Sequence, residues 1–201
     1  RNLMDGGFGF SVGNQIPLSK NTIGYNVAVS YKSTTEFFKD ARFSRYGLDG
    51  NPDLIEMDNR DMQVGNYGVS NVMVSGLAGL AYKTLRSKYR LYFLHLQNGE
   101  SKAGIFTYRS NDQGAIFEGT QHNLDYSQRS LSNILIDGKH TFPQSKWELE
   151  WKVSPTLSKM EDPDIRFTRY VYPEGKYIIS TESGFPERIW RDLKEISIGS
   201  L

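Results

Sequence analysis

Between Trp147 and Ser154 the side chains alternate without a break: Trp147, Leu149, Trp151 and Val153 at odd positions, Glu148, Glu150, Lys152 and Ser154 at even ones. Successive residues of an extended strand point to opposite faces, so this segment has one apolar wall and one charged wall. The pattern recurs. Ile23, Tyr25, Val27, Val29 and Tyr31 alternate with Gly24, Asn26, Ala28, Ser30 and Lys32, while Phe8, Phe10 and Val12 alternate with Gly9, Ser11 and Gly13. Segments of about 9 to 11 residues that alternate in this way, with aromatics toward the ends of the apolar face, predict strands of a membrane β-barrel whose outside meets lipid and whose lumen is wet.

Strand-like runs are expected near Phe8 to Ile16, Ile23 to Lys32, Asn71 to Lys83, Tyr89 to Asn98, Leu124 to Lys139 and Trp147 to Ser154. The links after the first, third and fifth runs are short. The others are long excursions, about Ser33 to Ser70, Gly99 to Asn123 and Pro155 to Glu195. Short turns at one end and long loops at the other predict an up-and-down antiparallel barrel with the long loops extracellular. A β-sandwich turns over about every 8 to 12 residues, which these excursions violate. Within them, Asp49-Gly50-Asn51-Pro52-Asp53 reads as a turn cluster. Phe185 to Glu195 reads as a short helix, with Pro186 in its first turn and Phe185, Ile189 and Leu193 at four-residue spacing.

Composition agrees with a barrel. Hydrophobic content is only 38%, while Tyr (12), Phe (11) and Gly (19) are plentiful, which suits an aromatic-girdled barrel with a polar interior. No apolar run approaches the ~20 residues of a membrane helix, and only helices and closed barrels satisfy their backbone groups in lipid. The sequence opens on Arg1 and stops inside the alternating run Ile196 to Leu201, which reads as a piece of a larger barrel of which six or seven strands are present. A net charge of +1 gives no basis for binding nucleic acid, and the lack of cysteine excludes thiol chemistry.

Candidate chemistry is sparse. Gly9-Phe10-Ser11-Val12-Gly13 matches G-x-S-x-G, but a nucleophile elbow needs a strand, a sharp turn and then a helix; here a turn and another strand follow, and Ser11 reads as a lumen residue. Asp49, Asn51, Asp53 and Glu56 begin like a calcium loop, yet Leu54 and Arg60 occupy the positions that need Gly and Glu, so an ordinary Asx-Pro turn is the simpler reading. His95, His122 and His140 share no ligand spacing and read as lone, hydrogen-bonded histidines. No catalytic residue, metal site or cofactor is expected. Arg166, Arg169, Tyr170, Arg188 and Trp190, in the expected outer loops, are the candidate ligand-binding residues, because guanidinium groups beside aromatic faces can hold an anionic chelate or stack on a sugar.

The stretches Leu94 to Gly104, Leu124 to Leu131, Trp147 to Pro155, Asp162 to Tyr170 and Phe185 to Leu193 together resemble the barrel domain of TonB-dependent outer-membrane receptors of the Bacteroidetes type. The resemblance implies that residues 1–201 belong to a barrel of about 22 strands, set in outer-membrane lipid and closed by an N-terminal plug domain. It implies active uptake of a nutrient such as an iron chelate, cobalamin, a peptide or an oligosaccharide, energised by the TonB complex, with a companion surface lipoprotein as a further partner. Plug, TonB box and C-terminal strands are not in this sequence. The rival expectations are a secreted β-rich glycan-binding module, in which the Trp-bearing strands pack a sandwich core, and an outer-membrane enzyme built around Ser11.

Overall fold

The computed structural model describes residues 5–48, 57–111, 116–144, 146–171, 175–179 and 186–200. Seven strands account for most of them: β1 (Gly6–Leu18), β2 (Asn21–Leu48), β3 (Met57–Lys83), β4 (Ser87–Ser110), β5 (Phe117–Phe142), β6 (Trp147–Tyr170) and β7 (Glu187–Ser200). They form one antiparallel sheet in sequence order, open at β1 and β7. All seven strands belong to this single layer, so the Trp-bearing strands face no second sheet among the described residues.

The all-β character and the up-and-down antiparallel order are as expected; the sheet is open rather than closed into a barrel, and the long excursions are not loops. β2 to β6 run for 24 to 28 residues each and carry the ladder through most of the segments expected as loops. Thr34, Thr35, Phe37, Phe38 and Phe43 favour extended backbone, and each strand satisfies its neighbour's N–H and C=O groups far beyond the alternating region. The helix expected from Phe185 to Glu195 is replaced by β7. Ile189 and Leu193, four residues apart, share a face in a strand as well as in a helix; here they pair with Ile165 and Met160 of β6. Phe185 and the Asp49 to Asp53 turn lie outside the described residues.

Register assigns each side chain to a face. Phe10, Val29, Gly76, His95, Ser132, Leu157 and Ile196 form one row, each in register with the next, from β1 to β7. The same face carries Ile23 to Tyr31 of β2, Val72 to Tyr82 of β3, Tyr89 to Phe93 of β4, Ile134 to Phe142 of β5 and Trp147 to Leu157 of β6 at alternate positions. Nine residues on β2 and eleven on β3, at about 3.3 Å per residue and a strand inclination of about 40°, span about 25 Å, the height of a membrane barrel's apolar band. At these positions the face carries no Asp, Glu, Lys or Arg; the row of Tyr31 and Val74 runs on to Lys159 and Lys194, and that of Val72 to Glu161 and Asp192, beyond the apolar stretches of β6 and β7. At the depth of the band the opposite face carries Arg90, Asp137, Lys139, Glu148, Glu150 and Lys152.

Burial runs opposite to that of a water-soluble sheet. The band is open, with Phe10 63%, Val29 44% and Trp147 72% exposed, whereas Asp137 and Gln121 on the opposite face are 4% exposed. Phe106, Tyr108, Asp162 and Ile165, also buried, share that second face. Side chains converge on the inside of a curved sheet and splay on its outside, so the charged face is the inner one. Arg90 Nε donates to Asp137 Oδ1 at 2.7 Å, and Lys139 Nζ lies 2.8 Å from Glu148 Oε1. At the short-turn end of the band, Tyr82, Tyr89 and Trp151 stand in one outer register row, with Trp147 on the same face four residues nearer the turn. Polar tips there are hydrogen-bonded: Asn21 Nδ2 donates to Tyr82 Oη at 2.9 Å, and Trp151 Nε1 to His140 Nε2 at 3.1 Å.

Candidate functional site

Beyond the band, at the end away from the short turns, the inner face gathers aromatic rings from four strands. Phe38 of β2 stacks on Tyr67 of β3, with centroids 4.6 Å apart and planes 15° from parallel. Phe43 meets Phe106 of β4 edge-on at 5.7 Å and Tyr67 at 6.0 Å. Gly104 of β4, Asn123 of β5 and Phe167 of β6 follow Tyr67 in register. A Cβ at Gly104 would stand 2.5 Å from the Phe106 ring and 2.9 Å from the Tyr67 Cβ, so the missing side chain is what lets these rings close over the sheet. The result is a cavity of about 560 Å³ whose lining includes Phe38, Phe43, Tyr67, Phe106 and Phe167.

A β-bulge aims the shelf. The β2–β3 register shifts between Phe38 and Ala41, where Asp40 adopts a φ of 49°. Asp tolerates this left-handed conformation better than most residues, and its N–H is satisfied by Asn66 Oδ1 at 2.9 Å. The bulge brings both Phe38 and Phe43 to the inner face, five residues apart, where strict alternation would send them to opposite sides.

Two polar systems border the rings. On one side, Tyr108 Oη donates to Asp61 Oδ1 at 3.2 Å, and Asp61 holds Arg45 at 2.5 Å. Arg169 lies 4.4 Å above the Tyr108 ring and donates to Gln121 Oε1 at 2.7 Å, while Gln121 donates to Asn123 at 2.7 Å. On the other side stand Glu36, Glu100, Lys102 and Asp125. Lys102 Nζ sits 2.8 Å from Glu100 Oε1. That hydrogen bond, helped by the nearby Asp125 and opposed by partial burial and Arg129, holds the ammonium above the usual lysine range.

The five residues singled out in the sequence do not converge on one point. Arg169 is on the inner face beside the shelf. Arg166, Tyr170, Arg188 and Trp190 are on the outer face, on β6 and β7 rather than in loops. There Asp164 takes a bidentate grip from Arg166, at 2.7 and 2.6 Å, and a third contact from Arg188 at 3.0 Å. Arg166 first, then Arg188, hold the Asp164 carboxyl below its usual range. Arg188 also stacks on Trp190 at 4.7 Å. Tyr170 Oη is 2.7 Å from His122 Nε2 and its ring meets Tyr177 edge-on.

The remaining candidates have structural settings. His95 bonds Ser132 at 2.8 Å, and His140 bonds Ser87 at 3.0 Å as well as Trp151. Ser11 lies in mid-strand, paired with Ala28, so the strand–turn–helix of a nucleophile elbow is not built around it. Asp49, Asn51, Asp53 and Glu56 lie outside the described residues.

The sequence reading missed Phe38, Phe43, Tyr67, Phe106 and Phe167. These stand far apart along the chain and meet only through register, so no local pattern could have joined them. The one available signal is the density of aromatic residues in segments that read as loops. Comparisons with models of protein families, with curated proteins and with solved structures find no match to this chain.

Proposed function

We propose that this chain is part of the wall of an outer-membrane β-barrel of the TonB-dependent uptake class, and that the aromatic shelf on its inner face contacts the nutrient on entry. The observation that carries the reading is the inverted sheet: an exposed apolar band about one membrane thick on the outside, uncharged along the stretch of each strand that forms it, with charged and buried side chains at the same depth inside. In water such a band is a large unpaired apolar surface; against lipid it is the expected exterior of a membrane barrel. Edge strands β1 and β7 leave backbone groups open, which lipid does not satisfy, so in this reading they pair with further strands that close the barrel. The shelf stands where long strands continue past the band, the side that faces the medium in such barrels. The uptake class rests on the resemblance of the stretches named above, and the geometry is compatible with it.

The test is localisation. Exported with an outer-membrane signal, the chain is expected to fractionate with the outer membrane and to need detergent for extraction. A monodisperse, detergent-free soluble monomer contradicts the reading.

A further inference from the structure

We propose that the aromatic shelf binds an organic cation with an apolar body, an ammonium or guanidinium compound rather than an anionic chelate. This rests on the reading that the charged face is the inner surface of the wall. The cavity offers ring faces, since Phe38 is 39% and Phe43 50% exposed although both lie on the inner face. Its charged lining is Glu36, Glu100, Asp125 and Lys102, three carboxylates against one ammonium. Lys102 is already engaged by Glu100. Among the described residues Glu36 and Asp125 form no ion pair, so the carboxylate excess is available to a guest. Aromatic faces attract cations through their quadrupole, and unpaired carboxylates beside them add an attraction that an anion would feel as repulsion.

Arginines that could serve an anion are committed elsewhere. Arg169 is on Tyr108 and Gln121, and Arg166 and Arg188 are on Asp164 at the other face. Lys32 and Arg129 share one register row on the inner face, nearer the band than Glu36 and Asp125, and are outside the cavity lining.

The experiment compares two soluble probes of similar size and opposite charge, phenethyltrimethylammonium and 3-phenylpropanoate, by saturation-transfer NMR titration of the full chain in a neutral detergent. The cation is expected to bind at least about threefold more tightly. Glu36→Gln combined with Asp125→Asn should weaken the cation several-fold and erase the preference, and Phe38→Ala should weaken the cation with the carboxylates intact. Equal binding of both probes, tighter binding of the anion, or cation binding indifferent to all three substitutions overturns the proposal. Detergent-phase partition of the same samples separates the two claims. A detergent-bound chain without charge preference loses the ligand inference and keeps the wall; a soluble chain with the preference does the reverse.

Discussion

The indole of Trp151 lies across the face of Gly138, its register partner, so closely that a Cβ on the glycine would stand 2.5 Å from the indole Cζ2 and Nε1. The missing side chain lets the ring lie flat and reach His140 at 3.1 Å, completing the aromatic row at the short-turn edge of the band. Gly138→Val should displace the indole and cost about 1–3 kcal/mol, read as a lowered urea midpoint in detergent. In a Trp151→Leu background the same substitution should cost much less. An equal cost in both backgrounds would show that the glycine serves something other than this ring.

Val27 sits at mid-height of the band with no charged side chain beside it on the outer face. Val27→Arg should destabilise the inserted chain by about 2–4 kcal/mol, whereas Ala28→Arg, one residue on and facing inward, should cost far less. Unfolding titrations in lipid vesicles make the comparison. Equal penalties at the two positions would remove the distinction between the faces.

Asp162 is 2% exposed on the inner face and accepts from Arg191 Nε at 2.8 Å, beside the shift in register that separates Asp162 from Ile165. Arg191 is 64% exposed and can return to water, so Asp162→Ala should cost about 1–2 kcal/mol, less than breaking a fully buried pair. Hydrogen exchange should rise along β6–β7 and not along β3–β4. A uniform rise across the sheet would contradict a local role.

Asp164 titrates below its usual range because Arg166 and Arg188 favour its charged form. A depressed carboxylate contributes its stabilisation fully above the unfolded value, about 4, and loses it as pH falls through the lower folded value. The link from β6 to Arg188 should therefore persist at neutral pH and loosen only in stronger acid. Proteolysis at Arg188, sampled at low pH and with rising salt, should increase in both directions; insensitivity to salt would mean that the Asp164 contacts do not hold the strand.

The parts of this fold legible in the sequence are those where the two faces meet different surroundings. Trp147 to Val153 and Ile23 to Tyr31 alternate because one face is apolar and the other carries charge. From Thr35 to Phe43 the alternation fades: Phe37 and Phe38 are neighbours on opposite faces, and both faces there accept aromatic and polar residues. Those long upper strands consequently read as loops in the sequence. Ile189 and Leu193 misled for a different reason, since a spacing of four fits a helix and a strand alike, and only pairing with Ile165 and Met160 decides between them. Of the candidate site, Arg166 and Arg188 are visible in the sequence but their capture by Asp164 is not, and the shelf of Phe38, Tyr67 and Phe106 exists only once three strands are in register.

The most direct measurement is thiol accessibility, which a chain without cysteine makes clean. Single variants Val27→Cys, Leu149→Cys, Ser30→Cys and Glu150→Cys, inserted in lipid vesicles, are treated with a charged, membrane-impermeant thiol reagent. A barrel wall with its lipid face at odd positions of Ile23 to Tyr31 and Trp147 to Val153 predicts labelling of Ser30→Cys and Glu150→Cys, with Val27→Cys and Leu149→Cys left unmodified until detergent is added. Equal labelling of all four in the intact vesicles would contradict it.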